Sequence, residues 1–278
     1  MATETGQESF TVLMCDCAKS QNSSNTGTGT MAPAGYSTTF LRERALAINA
    51  LDCSARAEII EFNAHCPVDS EDACALVIRG TDPGLSTNSL QHVANEIRYD
   101  KFAVLQGKVK NAHSRHLVFV AEESRQGNPS TGIHSVLAWK TLPFLEAARN
   151  DVLNKFLADP YHVNSACILH YPDINKCGIR WHGDGERRRT ILYRLGTNSH
   201  MRPIHFQWYL NSAPVCDPIS ITLNHGDYFI PSTKAVGTDW KVRKVPTLRH
   251  STGFLNDGPA PKVSTRAAKR KRSFVHTP

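Results

Sequence analysis

A histidine and an aspartate stand two positions apart at the end of a strand-like segment of the sequence. They are His182 and Asp184, in the run Trp181-His182-Gly183-Asp184. Residues i and i+2 of an extended strand project to the same face, so this imidazole and this carboxylate can approach one metal ion. Two histidines and one carboxylate are the ligands of non-haem Fe(II) sites that keep positions open for a co-substrate and dioxygen. The pair therefore predicts part of such a site, although a polar strand end gives the same pattern by chance.

The segments that must hold this pair are short and rich in β-forming residues. A helix precedes them, beginning at Pro143, placing an apolar stripe from Leu145 to Phe156 on one face, and ending near residues 158–160. Candidate strands lie at residues 166–171, 178–182, 190–195, 205–210, 219–223, 227–230 and 247–250. Seven short strands separated by Gly, Pro, Asn and Asp favour a β-sandwich or an open barrel.

The N-terminal part of the chain has a different pattern. Residues 18–39 lack most large apolar side chains, and we interpret residues 1–39 as a flexible N-terminal segment. Residues 40–100 contain two helix-like patterns around a possible strand at residues 73–79. This acidic region forms either a separate domain or the outer elements that support a barrel, and composition favours neither.

Charge is divided unevenly along the 278 residues, which carry a net charge of +7. Residues 1–100 contain 6 basic and 13 acidic groups, whereas residues 101–278 contain 26 basic and 12 acidic groups. A basic part of this size favours a nucleic-acid partner, because neutralised phosphates release their counterions. A merely solvated basic surface is the alternative.

The C-terminal tail, residues 258–278, is expected to be a disordered basic arm. Its run of Lys and Arg at residues 269–272 is typical of a nuclear-import signal or a phosphate contact, with a solvating tail as the alternative. We expect an intracellular protein, nuclear if that run is an import signal, because neither a signal peptide nor a membrane-length apolar stretch occurs. The eight cysteines lack the spacing of a zinc finger and are expected to be reduced thiols.

Further motifs follow one another in the order found in AlkB-like Fe(II)/2-oxoglutarate-dependent dioxygenases, and the chain from about residue 101 to 252 resembles that family. We place the domain at residues 101–257. The matching motifs are the GK-spacer-R pattern in residues 104–116, Leu142-Pro143 with its helix, the strand from Asn164 to Asp173, His182-Gly183-Asp184, the HGD strand at residues 224–230, and Arg243 to Arg249 followed by His250-Ser251-Thr252-Gly253.

The resemblance implies a mainly β fold with flanking helices (α+β), a double-stranded β-helix or jelly roll that holds Fe(II) and 2-oxoglutarate. In such enzymes dioxygen and 2-oxoglutarate yield succinate and carbon dioxide while a C–H bond is hydroxylated, usually that of an N-methyl group on a nucleic-acid base. By resemblance, Arg243 and Arg249 bind the co-substrate carboxylates, since a guanidinium forms forked bonds with them. Tyr171 stands where the family has a hydroxyl near the co-substrate, with a core tyrosine as the alternative.

The second histidine of the family's iron site has no counterpart at its usual place, where Asp239 and its neighbours stand. His250 is the leading candidate for the third ligand, because the only other histidine after His225 is His276, in the expected tail. In a regular strand, however, His250 points away from the face that Arg243 and Arg249 share. Asp239 as third ligand and a lost or unusual site remain alternatives.

A nucleic-acid substrate would need a phosphate-binding surface near the site. The cationic residues expected to supply it are Lys108, Lys110, Arg115, Arg187, Arg188 and Arg189. A solvated hairpin turn is the alternative for the three adjacent arginines. Trp181, Trp208 and Trp240 are candidates for base stacking or, more commonly for strand aromatics, for the core. The competing functions are a protein hydroxylase and a non-catalytic nucleic-acid-binding module, and the oligomeric state stays open.

Overall fold

The computed structural model describes residues 8–19, 27–66, 68–105, 107–159, 163–197 and 201–253. The strands are β1 (Ser9–Cys15), β2 (Cys17–Lys19), β3 (Gly27–Gly29), β4 (Arg56–Glu61), β5 (Cys74–Arg79), β6 (Phe102–Leu105), β7 (Lys108–Asn111), β8 (His116–Ala121), β9 (Val136–Ala138), β10 (Ser165–Tyr171), β11 (Ile179–His182), β12 (Thr190–Gly196), β13 (Ile204–Leu210), β14 (Ala213–Pro214), β15 (Ile219–Ile221), β16 (Tyr228–Pro231) and β17 (Thr247–Thr252). The α-helices are α1 (Thr38–Asn49), α2 (Pro83–Asn95), α3 (Pro143–Asp151) and α4 (Thr233–Val236). The described chain is therefore mainly β with a few helices, in agreement with the α+β class.

The larger sheet has eight strands in the order β4-β5-β16-β12-β1-β10-β8-β9. β1 lies in its interior and pairs along its whole length with β10 on one side and β12 on the other, so that Ser9 faces both Tyr171 and Gly196. Phe10 and Val12 are buried against the helices. The expectation that residues 1–39 form a flexible segment is therefore wrong for residues 9–15, because their alternating apolar side chains fill a central position of the sheet.

The smaller sheet has five strands, in the order β11-β17-β13-β14 with β15 also paired to β13. One of its faces packs against the larger sheet: Phe206 and Leu248 join Phe229 of β16 in one buried cluster. Trp208 belongs to the same cluster and is fully buried, so it is a core residue and not a base-stacking one. The two sheets thus enclose a common interior.

Helices α1, α2 and α3 cover the opposite face of the larger sheet, where Leu41, Val93 and Leu145 join its main buried cluster. The acidic region is part of the same body, because β5 pairs with β16 and carries β4 at the edge. Of the two arrangements that composition left open for residues 40–100, the structure therefore has the supporting one.

Most of the expected strands occur within one or two residues of their predicted bounds. The helix from Pro143 continues beyond α3 as a π-helix over Val152–Leu157 and ends at Ala158, which adopts a left-handed conformation. None of the helices in the described ranges has both the length and the apolar character needed to span a membrane. The predicted basic tail at residues 258–278 lies outside the described residues.

Candidate metal centre and its cavity

Three potential metal ligands meet where β11 and β17 pair. His182 ends β11 and stands opposite His250 of β17, with 4.4 Å between the ring centroids. Asp184 follows β11, and its two oxygens lie 3.7 Å from His182 Nε2 and 3.9 Å from His250 Nε2. One ligand atom from each residue lies within 4.8 Å of the others, so this group could hold a metal ion.

The surroundings of the two histidines suit metal binding in two different ways. His182 Nδ1 lies 2.7 Å from the backbone oxygen of Arg180, which only accepts, so Nδ1 carries the proton and Nε2 is left as the ligand atom. Burial, followed by the neighbouring His182, lowers the pKa of His250 to about 3. A neutral imidazole is the ligand form of histidine, so His250 needs no deprotonation near neutral pH.

Asp184 is held as a carboxylate by its neighbours. Burial alone raises its pKa, but the Arg187 guanidinium, together with His250 and His182, brings the pKa below its usual value. Arg187 Nε lies 3.7 Å from an Asp184 oxygen, and an Arg187 terminal nitrogen donates to Glu186 over 2.6 Å. The guanidinium is nearly buried and therefore acts on Asp184 with little screening from solvent.

The backbone between the first two ligands admits only glycine. A Cβ on Gly183 would collide with the backbone oxygen of Gly237 and would lie 2.7 Å from Trp240 Cβ. The Asp184 amide donates to the Val236 oxygen over 3.0 Å, which fixes the chain against the end of α4. This close approach directs the carboxylate of Asp184 toward the two imidazoles.

Asp239 is not part of this group. Its carboxylate accepts a hydrogen bond of 2.6 Å from Lys234, whose side chain is almost fully buried. The alternative in which Asp239 supplies the third ligand is therefore wrong in this structure, because its charge already neutralises Lys234. Among the described ranges, the ligand group is made by His182, Asp184 and His250.

The ligand group opens into a cavity of about 320 Å³ between the two sheets. Its lining follows the two-residue period of the strands, with Thr190, Leu192 and Arg194 from β12 and with His250 and Thr252 from β17. This volume lies in the range of small-molecule sites. Apolar side chains such as Leu192 and Phe206 form part of the wall, and polar or charged side chains form the rest.

Arg194 is the most unusual residue of this lining. It is only 1% exposed, and it donates to Thr11 Oγ1 over 2.5 Å and to the Arg202 oxygen over 2.9 Å. Its Nε has no hydrogen-bond partner, and none of the carboxylates in the described part of the chain pairs with it. Burial lowers its pKa, and the Tyr171 hydroxyl opposes that shift. A buried guanidinium without a counter-ion favours an anionic ligand in the cavity.

Two other predicted residues also line the cavity. Tyr171 is fully buried there, and burial raises its pKa while the Arg115 and Arg194 guanidiniums lower it. Its hydroxyl is therefore a protonated donor at neutral pH. Arg115 reaches the cavity from the loop before β8, and its Nε has no partner. Arg115, predicted to contact a phosphate backbone, thus stands at the site itself.

Arg243 and Arg249 do not reach the cavity. Arg243 is exposed, and Arg249 stacks over the Tyr209 ring at 4.2 Å on the outer face of the smaller sheet. Their predicted role as co-substrate ligands is wrong in this structure because His250 takes the inward direction of β17. The conflict between His250 and Arg249 noted in the sequence is thus resolved in favour of the histidine.

The three adjacent arginines are engaged inside the protein and do not form a phosphate-binding cluster. Arg187 contacts Asp184 and Glu186. Arg188 donates to the backbone oxygens of residues 32 and 33, and Arg189 pairs with Asp159 at 2.7 Å. The prediction of a nucleic-acid contact is therefore wrong for Arg187 and Arg189, which are buried, and stays a prediction for Arg188, which is partly exposed. By contrast, Lys108 and Lys110 lie exposed on β7, and their predicted role stays a prediction.

Two residues of the cavity lining were not predicted in these roles from the sequence. Arg194 is one, and its signal was a single cation at the inward position of an otherwise apolar strand, in step with Thr190 and Leu192. Arg187 is the other. Its role is to place a positive charge beside Asp184, and its signal was a cation three residues after that carboxylate.

Comparison with known proteins gives a relative but no activity. No model of a known protein family matches the sequence. The chain is 32% identical over 257 residues to the uncharacterized protein R156 of Acanthamoeba polyphaga mimivirus, an alignment that covers 89% of this chain and 96% of that protein.

Proposed function

This chain belongs to the same family as the mimivirus protein, and we propose that it is an Fe(II)- and 2-oxoglutarate-dependent oxygenase. The proposed substrate is a nucleic-acid base, from which hydroxylation removes a methyl group or to which it adds a hydroxyl. A protein hydroxylase of the same superfamily is the runner-up within this chemistry.

One observation carries the proposal: two histidines, one carboxylate and a buried arginine without a counter-ion line the same cavity. His182, Asp184 and His250 offer the ligand set that leaves adjacent positions of Fe(II) open. Arg194 supplies a fixed positive charge, which would bind the carboxylate at the far end of a dicarboxylate that chelates the metal. A zinc site that only stabilises the fold would have no use for such a charge.

The architecture supports the same proposal. The candidate site lies between an eight-stranded and a five-stranded sheet, on inward-facing residues of both. Two facing, mainly antiparallel sheets with a site in their interior are consistent with a jelly roll, the double-stranded β-helix of this superfamily. In this chain, the interior position between β10 and β12 is taken by β1, which comes from the start of the sequence.

In the proposed oxygenase, different residues of the cavity would bind the co-substrate, keep Asp184 ionised and exclude water. Fe(II) with 2-oxoglutarate and dioxygen supplies the oxidation of a C–H bond, with succinate and carbon dioxide as co-products. Arg194 binds a carboxylate of the co-substrate, and Tyr171 presents a hydroxyl donor to the same space. Arg187 keeps Asp184 ionised. Apolar side chains such as Leu192 and Phe206 exclude water from the reacting groups.

The test is an anaerobic titration of the metal-free protein with Fe(II) and 2-oxoglutarate, followed by the visible charge-transfer band of the chelate. We expect a stoichiometric band in the native protein and its loss in His182→Ala and His250→Ala. His65→Ala, at an exposed histidine away from the ligand group, is the matched control and should keep the band. Absence of the band in the native protein would overturn the oxygenase and leave a binding module as the better function.

A further inference from the structure

A strip of alternating aromatic and cationic side chains runs along the outer face of the smaller sheet. Trp181 lies 6.2 Å from Tyr209, ring to ring, and the Arg249 guanidinium stacks 4.2 Å from the Tyr209 ring. Arg249 also lies 5.5 Å from the Trp240 ring, which has the Lys241 ammonium 5.2 Å from its centre. We name these five residues the outer strip.

The outer strip begins at the candidate site and ends in solvent. Trp181 precedes the ligand His182 in sequence, and Trp240 backs directly onto Gly183. Trp181, Arg249 and Trp240 are partly exposed, and Lys241 is exposed. Tyr209 is buried beneath Arg249 and holds that guanidinium flat.

The loop that carries Trp240 and Lys241 is also adapted to a polyanion. Arg243 and Lys244 are exposed on it, beside Val242 and Val245, which are 46% and 44% exposed. The nearest acidic residue of the loop, Asp239, is neutralised by Lys234. The loop therefore presents positive charge and apolar surface with no competing carboxylate of its own.

The cavity beside the candidate metal ligands is also lined by positively charged side chains. Its cationic side chains include Lys19, Arg115 and Arg180, and none of these pairs with a carboxylate among the described residues. Its two carboxylates, Asp184 and Glu186, both contact Arg187. After Arg194 has taken a co-substrate carboxylate, three cations remain for the substrate, so that substrate should be anionic.

We propose that the outer strip is a track for single-stranded nucleic acid that leads to the cavity. Base faces stack on Trp240 and Trp181, Arg249 and Lys241 contact the phosphates beside them, and Arg180 of the cavity lining contacts a phosphate where the track meets the cavity. The alternation of flat and charged groups is what exposed bases and phosphates require, because every base has a π-face whatever its identity. An acidic peptide would use the charges but not the rings. Binding along this track does not depend on the proposed function; only the oxidation of a base in the cavity rests on it.

The test measures binding alone, so it is independent of iron and of turnover. Fluorescein-labelled oligothymidine and oligouridine of about twelve nucleotides are titrated against the full chain in EDTA over a series of salt concentrations. Each lost phosphate contact should make the slope of log K against log salt less negative by about 0.7. We expect this for Arg180→Gln and Lys241→Gln, and about twice this for the double variant.

Lys140→Gln is the matched control, because Lys140 is an exposed cation beside the helices on the far side of the larger sheet. It should leave the slope unchanged. Intrinsic tryptophan fluorescence gives the second readout. Trp139 and Trp208 are buried, so quenching by the bound oligonucleotide reports on Trp181 and Trp240. Trp240→Phe should lose the part of this quenching that comes from Trp240, while Trp181 keeps the rest.

The outcomes separate this track from its alternatives. Equal slopes for the Arg180 and Lys241 variants and the control, or binding without quenching, would overturn it and assign binding to other cationic segments. Polyglutamate that competes as well as the oligonucleotide would identify an acidic peptide instead, and duplex bound more tightly than single strand would exclude stacking. If the oligonucleotide binds as expected but the native protein gives no band in the Fe(II) and 2-oxoglutarate titration, the proposed oxidation of a base is overturned and the binding surface remains supported.

Discussion

Replacing Arg194 by glutamine should abolish tight binding of 2-oxoglutarate, whereas replacing Arg249 by glutamine should not. Two of the five N–H groups of Arg194 are used by Thr11 and by the Arg202 oxygen, and Nε has no partner. The remaining donors can therefore form two bonds with a carboxylate. Arg249 lies outside the cavity and cannot take this role.

The expected effect follows from the burial of this arginine. A hydrogen bond to a charged group contributes about 1.5–3 kcal/mol, so two such bonds contribute about 3–6 kcal/mol. Because about 1.4 kcal/mol corresponds to a factor of ten, Arg194→Gln should raise the Kd of 2-oxoglutarate by about two to four orders of magnitude. Arg194→Lys keeps the charge but not the fork, and we expect an intermediate Kd for it.

The assay is the anaerobic Fe(II) chelate titration with 2-oxoglutarate as the varied component, run on all three variants. Thermal unfolding without 2-oxoglutarate shows whether each variant is folded, and the rise of Tm when 2-oxoglutarate is added reports binding, since a ligand that binds only the folded state stabilises it by mass action. If Arg194→Gln binds 2-oxoglutarate like the native protein while Arg249→Gln does not, the assignment from the cavity is refuted. The motif-based assignment of the co-substrate arginine would then be correct.

Three further outcomes are expected. Gly183→Ala should lower the free energy of unfolding by about 1–3 kcal/mol, measured by chemical denaturation, because its Cβ meets the backbone of Gly237; an unchanged midpoint would contradict the packing described for the ligand loop. The metal-free protein should lose stability as pH falls below about 6.5. Burial lowers the pKa of His205 and brings the pKa of His250 to about 3, so the unfolded chain binds more protons than the folded chain below that pH. His205→Gln should therefore flatten the dependence of Tm on pH. Deleting residues 1–16 should prevent folding, seen as loss of the cooperative thermal transition, because it removes an interior strand; a folded product would show that β1 is dispensable.

Local patterns were enough to predict most of the elements and two of the three ligand residues. The strands around His182 are short, and their apolar residues alternate, so their existence and approximate bounds follow from periodicity. His250 was the leading candidate only by exclusion of other histidines. The distance between it and His182 depends on the antiparallel pairing of β11 and β17, which no local pattern contains.

The failures share a physical cause, which is that partners distant in sequence decide which way a charge points. Arg187 and Arg189 look like a solvated basic cluster until Asp184 and Asp159 are brought beside them. Arg194 looks like an ordinary strand residue until both sheets close around it. The apolar run at residues 9–15 is readable as a strand, but its central place depends on β10 and β12.

The position of β1 also sets an order of events during protein synthesis. The segment Ser9–Cys15 leaves the ribosome well before both of its neighbours in the sheet, because β10 begins only at Ser165 and β12 only at Thr190. Until Tyr171 has emerged, this apolar strand has neither of its sheet partners and is open to chaperones or to aggregation. The larger sheet is therefore completed late, when β1 pairs with two strands that are translated long after it, and the cavity acquires its β1 wall at that step.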